Sequence, residues 1–232
     1  MFPRVQIILL SALLFSCSTS KNSENEQTSK KEPSAIETSD PKEEEKIILF
    51  FGNSITAGYQ LDMDQAFPAI IQKKLDSLGL NYKAINAGLS GETSAGGKSR
   101  IEWVLKTTPD IFFLELGAND GLRGLPLDET YKNLQDIIDA VKKENPAVKI
   151  IIAGMMVPPN LGDEYTTEFK DLFPTLAEEN DAIYIPFLLE GVAGNPELNL
   201  RDGIHPTPEG HEIVAETVWE YLEPLLDGAA NP

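Results

Sequence analysis

Ser54 is the first residue whose type and position could carry chemistry. It lies in a turn of small residues, 52–58, directly after the apolar run 47–51. A hydroxyl held at the end of a buried strand is open to substrate, and it becomes a nucleophile when a neighbouring base removes its proton. A serine after a strand is also a common N-cap of the helix that follows. The sequence therefore makes Ser54 a candidate nucleophile, with helix capping as the alternative interpretation.

His205 is the candidate base. The chain contains two histidines, and histidine is the side chain that most readily takes up and returns a proton near neutral pH. Asp202 precedes His205 by three residues across a glycine, so its carboxylate can reach a ring nitrogen and stabilise the protonated imidazole. A capping or buried, hydrogen-bonded role is the alternative for His205. His211 falls inside an amphipathic helical stretch, where we expect a surface or boundary position.

Two further turns, 86–93 and 117–121, also follow apolar runs and are rich in glycine and asparagine. Small residues leave room for a substrate carbonyl, while the Gly91 backbone N–H and the Asn119 side-chain amide can hold the negative charge that develops on its oxygen. Glycine, asparagine and aspartate are also the ordinary residues of turns. Either turn alone is therefore weak support for an oxyanion site.

The elements that must position these residues alternate along the chain. Apolar runs predict strands at 47–51, 82–86, 111–116, 149–155 and 182–185. Stretches of helical period predict helices near 66–78, 97–106, 128–144, 166–179 and 208–225. All five runs are largely apolar on both faces, which is typical of central parallel strands covered by helices on two sides. The pattern predicts an α/β fold, a three-layer α/β/α sandwich with a five-stranded parallel sheet, in which ligands bind beyond the carboxyl ends of the strands.

The first residues predict export and lipid anchoring. Arg4 precedes an apolar stretch, 5–15, that is too short to span a bilayer comfortably, and Cys17 follows at the place where a lipoprotein signal is cleaved. We expect residues 1–17 to be a signal peptide with Cys17 as the lipidated first mature residue. A plain secretory signal is the alternative. Residues 18–46 are polar and predict a disordered tether, so the domain occupies 47–228 and is anchored in the cell envelope, facing the periplasm or the outside.

Composition excludes several classes of function. The formal charge of −18, of which about −16 belongs to the chain from residue 47 onward, argues against nucleic acid as a partner. Cys17 is the only cysteine, so the domain offers no disulfide and no thiol nucleophile. Two histidines without further cysteines leave scattered carboxylates as metal ligands, so we predict no metal site.

Taken together, the four segments resemble the four motif blocks of the SGNH, or GDSL, hydrolases in their order and at the expected ends of the chain. The likeness is closest to the bacterial group of multifunctional acyl-CoA thioesterases, lysophospholipases and arylesterases, and the run 114–124 is particularly similar to that group. The resemblance implies a flavodoxin-like SGNH hydrolase fold with no cofactor. It also implies a catalytic triad and an oxyanion hole. The implied triad is Ser54 as nucleophile, His205 as base and Asp202 as its orienting acid, and the implied oxyanion donors are the Ser54 and Gly91 backbone N–H groups and the Asn119 side chain.

Within that resemblance, the motif leaves a choice at Gly91, and the chain departs from the family's usual residue at Asn53. Gly91 fits the second block better than Gly88, because the run 89–94 matches the family's pattern, and Gly88 is the alternative. Asn53 stands where the family usually has an aspartate before the serine. Since that aspartate supports the turn rather than transferring protons, we expect Asn53 to keep most of its hydrogen bonds and activity to survive.

The implied reaction is two-step acyl transfer from a small-molecule acyl ester or thioester. The segments 155–162 and 186–201, the latter with Phe187, Leu188, Leu189 and Val192, are apolar enough to line an acyl-chain groove or to belong to the core. Lysophospholipid is an accessible substrate for a protein held at the membrane through lipidated Cys17. A carbohydrate acetylesterase and a non-catalytic lipid- or glycan-binding lipoprotein are the alternative functions, and the sequence predicts nothing about the oligomeric state.

Overall fold

The computed structural model describes residues 44–228, and the predicted signal peptide, Cys17 and most of the predicted tether lie outside the described residues. Within 44–228, no helix is long and apolar enough to cross a bilayer.

A five-stranded parallel sheet forms the centre of the described chain, with the order β2-β1-β3-β4-β5. Its strands are β1 Lys46–Gly52, β2 Tyr82–Gly88, β3 Ile111–Glu115, β4 Lys149–Ala153 and β5 Ile183–Ile185. The chain moves from β1 to β2 on one side and then returns to β3 on the other. Parallel sheets bind ligands at such a reversal, outside the carboxyl ends of the two strands concerned.

Helices connect the strands and cover both faces of the sheet. They are α1 Ser54–Ala57, α2 Phe67–Ser77, α3 Ser94–Val104, α4 Ala118–Leu122, α5 Leu127–Glu144, α6 Asp163–Glu179 and α7 Pro208–Leu222. Short 3₁₀ turns lie at Met63–Gln65, Pro159–Leu161 and Glu223–Leu225. Helices α2 and α7 pack together, as α3 packs with α5 and α5 with α6, which completes the three layers.

The predicted α/β/α architecture is confirmed, and the predicted strands and long helices lie within three residues of the observed bounds. Two short helices, α1 and α4, were not predicted, because a helix of four or five residues leaves no periodic pattern. The expectation that all five strands are covered on both faces, as central strands are, was wrong for β2 and β5. The strands β2 and β5 are the edges of the sheet, and most residues of β2 are partly or fully exposed.

Phenylalanine side chains fill the core on both faces of β1 and β3. Phe50 packs edge-on against Phe67 of α2 at 5.5 Å between ring centroids, and Phe51 packs against Phe112 on the opposite face at 5.8 Å. All five residues of β3 are buried, and four of them are apolar. The fifth is Glu115, a carboxyl group that is fully buried at the carboxyl end of β3. Burial of an ionisable group is costly unless it is hydrogen-bonded, so Glu115 requires hydrogen-bond partners at this end of the sheet.

Candidate active site

The candidate site lies at the reversal point of the sheet, where β1 ends before Ser54 and β3 ends before Asn119. A cavity of about 600 Å³ opens here. Ser54, Asn119 and His205 all contribute to its wall. The structure thus brings together residues from three loops that are far apart in sequence.

Ser54, His205 and Asp202 form one hydrogen-bonded line. The Ser54 Oγ atom lies 2.8 Å from His205 Nε2, and His205 Nδ1 lies 2.8 Å from Asp202 Oδ2. If Nδ1 carries the proton and donates a hydrogen bond to the carboxylate, Nε2 has a lone pair directed at the serine hydroxyl. The ring of Tyr59 packs over the imidazole with 4.4 Å between centroids. This arrangement can remove the Ser54 proton and stabilise the imidazolium that results.

Asp202 is held in its charged form. Its Oδ1 atom accepts hydrogen bonds from the backbone N–H groups of Ile204 at 2.9 Å and His205 at 3.0 Å. Partial burial raises the pKa of the carboxyl, but these backbone donors and the His205 ring outweigh it and lower the pKa to about 2. The carboxylate is therefore ionised throughout the range in which histidine exchanges protons.

The loop that carries Asp202 and His205 is hydrogen-bonded to the turn that precedes it. Leu200 N donates to His205 O at 2.7 Å, and a single antiparallel bridge joins Asn199 to Pro206. The buried Asn199 amide donates to the carbonyl groups of Val192 and Asn195. These contacts close the loop on itself and fix the position of the imidazole.

Asn53 shapes the turn that carries the nucleophile. Its Oδ1 atom accepts from Ile55 N at 3.1 Å and lies 3.3 Å from the Ser54 hydroxyl, while its Nδ2 atom donates to Glu115 Oε1 at 2.5 Å. The side chain caps α1 and connects the serine to the buried carboxyl group. The expectation that Asn53 keeps hydrogen bonds that support the turn agrees with these contacts.

The other oxygen of Glu115 also serves this turn. Oε2 accepts from Asn53 N at 2.9 Å, Thr56 N at 3.2 Å and Thr56 Oγ1 at 2.8 Å. A side chain at Gly52 would place its Cβ atom 2.5 Å from the same oxygen, so glycine leaves the space that the carboxyl needs. Burial raises the pKa of the Glu115 carboxyl to about 7, although the four donors favour the charged form.

Asn119, the predicted oxyanion donor, lines the cavity, and its side-chain amide is oriented by the loop after β2. Its Nδ2 atom donates to Glu92 O at 3.0 Å, which uses one of the two N–H groups of the amide. Glu92 is buried and paired with Arg100, whose guanidinium also donates to Ala87 O and lies 4.1 Å from the centre of the Phe51 ring. This ion pair holds the loop after β2 against α3 and so supports Asn119.

The two glycines considered for the second oxyanion donor, Gly88 and Gly91, have different surroundings. Gly88 N already donates to Asn86 Oδ1 at 2.9 Å, and a Cβ atom at Gly88 would lie 2.3 Å from Ala57 N, so Gly88 serves close packing. Gly91 has a φ of 79°, open space around it and a carbonyl that accepts from Arg123. Gly91 is not part of the cavity wall, and its role as an oxyanion donor stays a prediction.

Part of the predicted acyl groove lines the cavity and part belongs to the core. Met155, Met156, Phe187 and Leu189 contribute to the wall. Leu188 and Val192, by contrast, are fully buried in the core. A second cleft of about 740 Å³ lies between α5 and α6 and contains none of the predicted site residues.

The expected surface or boundary position of His211 was wrong. His211 is 1 % exposed, and its Nδ1 atom accepts the backbone N–H of Phe67 at 3.2 Å. That N–H is one of the donors at the start of α2 that has no partner within its helix. Burial lowers the pKa of His211 to about 4, with a smaller contribution from His205. The residue therefore joins α7 to α2 and is neutral at pH 7.

Several supporting residues were not identified from the sequence. Glu115 had a visible signal, a single acid in a run otherwise predicted to be buried on both faces. Asp120 is buried and accepts from the backbone N–H and the hydroxyl of Ser94, which joins the second and third turns. Within 44–228, no group of three or more His, Cys, Asp and Glu side chains is placed to hold a metal ion.

An imidazole in contact with a serine hydroxyl, at the carboxyl edge of a parallel sheet and beside an amide donor, defines a hydrolase-type site. The comparisons with known proteins agree with this class. The profile of the GDSL-like Lipase/Acylhydrolase family matches residues 50–213. The chain belongs to this family, and its enzymatic class is that of the carboxylic ester hydrolases.

Individual relatives cover most of the chain. Esterase TesA of Pseudomonas aeruginosa is 37% identical over 180 residues, which is 77% of this chain and 89% of the relative. Thioesterase 1/protease 1/lysophospholipase L1 of Escherichia coli K12 is 34% identical over 181 residues, 78% of this chain and 85% of the relative. A crystal structure of AlinE4, an SGNH-hydrolase family esterase, superimposes with a TM-score of 0.65 at 40% identity, covering 81% of this chain and all of that one. The likeness to the SGNH hydrolases is therefore confirmed.

Proposed function

We propose that this enzyme hydrolyses acyl esters and thioesters through an acyl-enzyme on Ser54. The observation that carries the proposal is the continuous line from the Ser54 hydroxyl through His205 to Asp202, with 2.8 Å at each contact. Ser54 Oγ attacks the substrate carbonyl while its proton passes to His205 Nε2. The Asn119 amide and the Ser54 and Gly91 N–H groups then hold the oxyanion.

Collapse of the tetrahedral intermediate completes the first half of the reaction. The bond to the leaving oxygen or sulfur breaks, and His205 returns its proton to that atom. Water then enters, loses a proton to His205 and attacks the acyl carbonyl. The second intermediate releases the carboxylic acid and restores the Ser54 hydroxyl.

The cavity supports an acyl chain as the group transferred. Its wall is largely apolar, and its volume of about 600 Å³ falls in the range of sites that enclose a whole small molecule. An acetyl group would leave most of that space unfilled, so the cavity favours longer acyl groups over the acetyl esters of carbohydrates. The names of the relatives, esterase and thioesterase/lysophospholipase, favour the same substrates.

Replacement of the nucleophile tests the proposal. We expect Ser54→Ala to lower kcat for p-nitrophenyl butyrate by at least about 10³-fold, since the hydroxyl takes part in both halves of the reaction. Ser77→Ala is the matched control, because Ser77 is exposed at the end of α2 and remote from the cavity. A fluorophosphonate probe should add its mass to the wild type and to Ser77→Ala, but not to Ser54→Ala. Full turnover or labelling of Ser54→Ala would refute the assignment.

We also propose that the mature protein is exported and held in the cell envelope through lipid on Cys17. The support is the order of charge, apolar stretch and cysteine at the start of the chain. Cys17→Ser should move the protein from the membrane fraction to the soluble envelope fraction. Cys17→Ser protein that stays with the membranes would contradict this proposal without affecting the assignment of Ser54.

A further inference from the structure

Exposed apolar side chains are concentrated around the mouth of the cavity. Nine large apolar residues of 44–228 are exposed. Seven of them lie in segments that follow the strands at the carboxyl edge of the sheet. One of the seven, Met63, lines a separate surface pocket with Ala57 and Gly88. The other six have 36–52% of their surface exposed, and we call them the apolar rim: Tyr59, Leu89, Leu122, Met156, Leu161 and Ile204. Exposed apolar residues that form a group mark an interaction surface more often than exposed apolar residues that are scattered singly.

The rim is continuous with the cavity that holds the nucleophile. Leu122, Met156 and Ile204 contribute to the cavity wall while about half of each side chain remains exposed. Leu161 lies outside that wall, beside Gly124 in the turn that follows α4. Leu89 follows β2 directly and is held beside the nucleophile turn by a hydrogen bond from its N–H to Gly52 O. A single acyl chain could therefore pass from the rim to Ser54 without leaving apolar surroundings.

The exposed charged side chains beside the rim are of both signs, although from residue 47 onward the chain carries about −16. Arg123 and Arg201 are the exposed cations of the rim segments, and the nearby Asp202 is engaged by His205. Asp62 and Asp64 follow Tyr59, and Asp163 and Glu164 follow Leu161. Two arginines beside an apolar surface are suited to lipid phosphates, because the guanidinium group binds phosphate oxygens through paired N–H groups.

We infer that the apolar rim docks on a zwitterionic phospholipid surface and receives single-chain lipid from it. The apolar side chains would enter the acyl region while Arg123 and Arg201 face the phosphates. A strongly anionic surface is disfavoured, since the acidic domain would be repelled from it. This inference rests on the proposed function, because it makes lysophospholipid at an interface the substrate of the same site.

Tryptophan quenching tests the docking independently of catalysis. In the full chain carrying Ser54→Ala, tryptophan is introduced by Leu89→Trp at the rim or by Leu78→Trp as a matched control. Leu78 is 55% exposed, similar to Leu89 at 52%, but lies at the opposite edge of the sheet, where α2 ends. The parent emission comes from the native Trp103 and Trp219. Phosphatidylcholine vesicles brominated in the acyl chains should quench the emission that Leu89→Trp adds to that of the parent at least twofold more than the emission that Leu78→Trp adds. Equal quenching of the two variants would overturn the inference, even if the N-terminus holds both on the vesicles.

Interfacial kinetics provide the second test. We expect the double variant Leu89→Gln/Leu161→Gln to hydrolyse micellar lysophosphatidylcholine about tenfold more slowly, from the loss of two partly buried leucine contacts. Its rate on soluble p-nitrophenyl acetate should stay within twofold of the wild type, and Leu78→Gln should change neither rate. An equal fall on both substrates, or no fall on either, would overturn the inference. A wild type that hydrolyses p-nitrophenyl acetate but not lysophosphatidylcholine would reject the lipid substrate, whereas loss of all esterase activity would reject the proposed function.

Discussion

The pairing of Asn53 with Glu115 makes a specific prediction about how the nucleophile turn is held. Glu115 Oε1 faces one donor, the Asn53 amide, while Oε2 faces three. Glu115→Gln would keep an oxygen for the three donors, but it would turn an amide N–H group toward that of Asn53. Asn53→Asp would instead place two carboxyl groups in contact, so that one of them must hold a proton.

Exchanging both residues restores the pairing of one hydrogen-bond donor with one acceptor between positions 53 and 115. In Asn53→Asp/Glu115→Gln, the amide at 115 donates to the carboxylate at 53, and the formal charge of the pair is that of the wild type. A buried group left without a partner costs about 1–3 kcal/mol, so we expect each single variant to lose about that much stability. Because the same turn positions Ser54, each should also lose about tenfold in kcat. The double variant should recover most of both losses, with a coupling energy of at least about 1.5 kcal/mol.

The assay is a double-mutant cycle on kcat and KM for p-nitrophenyl butyrate, with the free energy of unfolding measured in urea. Asn53→Asp should lose further activity as the pH rises, since the two carboxyl groups repel each other once both are ionised. A KM that stays within twofold across the cycle would place the effect on the reaction step. Losses in the double variant equal to the sum of the single variants would refute the complementarity, because the two positions would then act independently.

Three other substitutions test separate parts of the structure. Asp202→Asn should lower kcat about 10⁴-fold with little change in stability, as loss of the carboxylate leaves His205 in the wrong tautomer; a kcat within tenfold of the wild type would contradict the assigned role. Burial holds the folded pKa of His211 at about 4, below the ordinary value of 6.5 for histidine, so its contribution to stability is present above pH 6.5 and is lost as the pH falls toward 4. His211→Gln, which keeps an acceptor for Phe67 N, should make urea unfolding less sensitive to pH in that window, and an unchanged pH dependence would count against a neutral buried histidine. Gly88→Ala would bring a methyl group to 2.3 Å from Ala57 N, and we expect it to lower the melting temperature by several degrees or more; an unchanged melting temperature would show that the turn can move aside.

The strands and the long helices could be predicted because their signals are local. The buried runs of β1, β3 and β4 are nearly continuous in apolar residues, and the helices between them keep a regular apolar period. The edge positions of β2 and β5 could not be predicted from the same runs. Strand order is decided by crossovers between distant segments, and an apolar edge strand resembles a central one in sequence.

The predicted site residues were identified through a pattern of four blocks, and the structure brings Ser54, His205 and Asp202 into contact. Their roles stay predictions until the variants are measured. The supporting residues were harder to find because their partners are remote in sequence. Glu115 bonds to Asn53 across 62 positions and His211 to Phe67 across 144, and no local pattern marks either pair.

The Ser54 hydroxyl has a second acceptor besides the imidazole, and this matters when the base is removed. His205→Ala deletes the acceptor at 2.8 Å, but Asn53 Oδ1 remains at 3.3 Å. The hydroxyl can turn to that oxygen by rotation about a single bond, while the backbone of the turn stays where it is. An enzyme without its base should therefore still hold its serine in an ordered, hydrogen-bonded position.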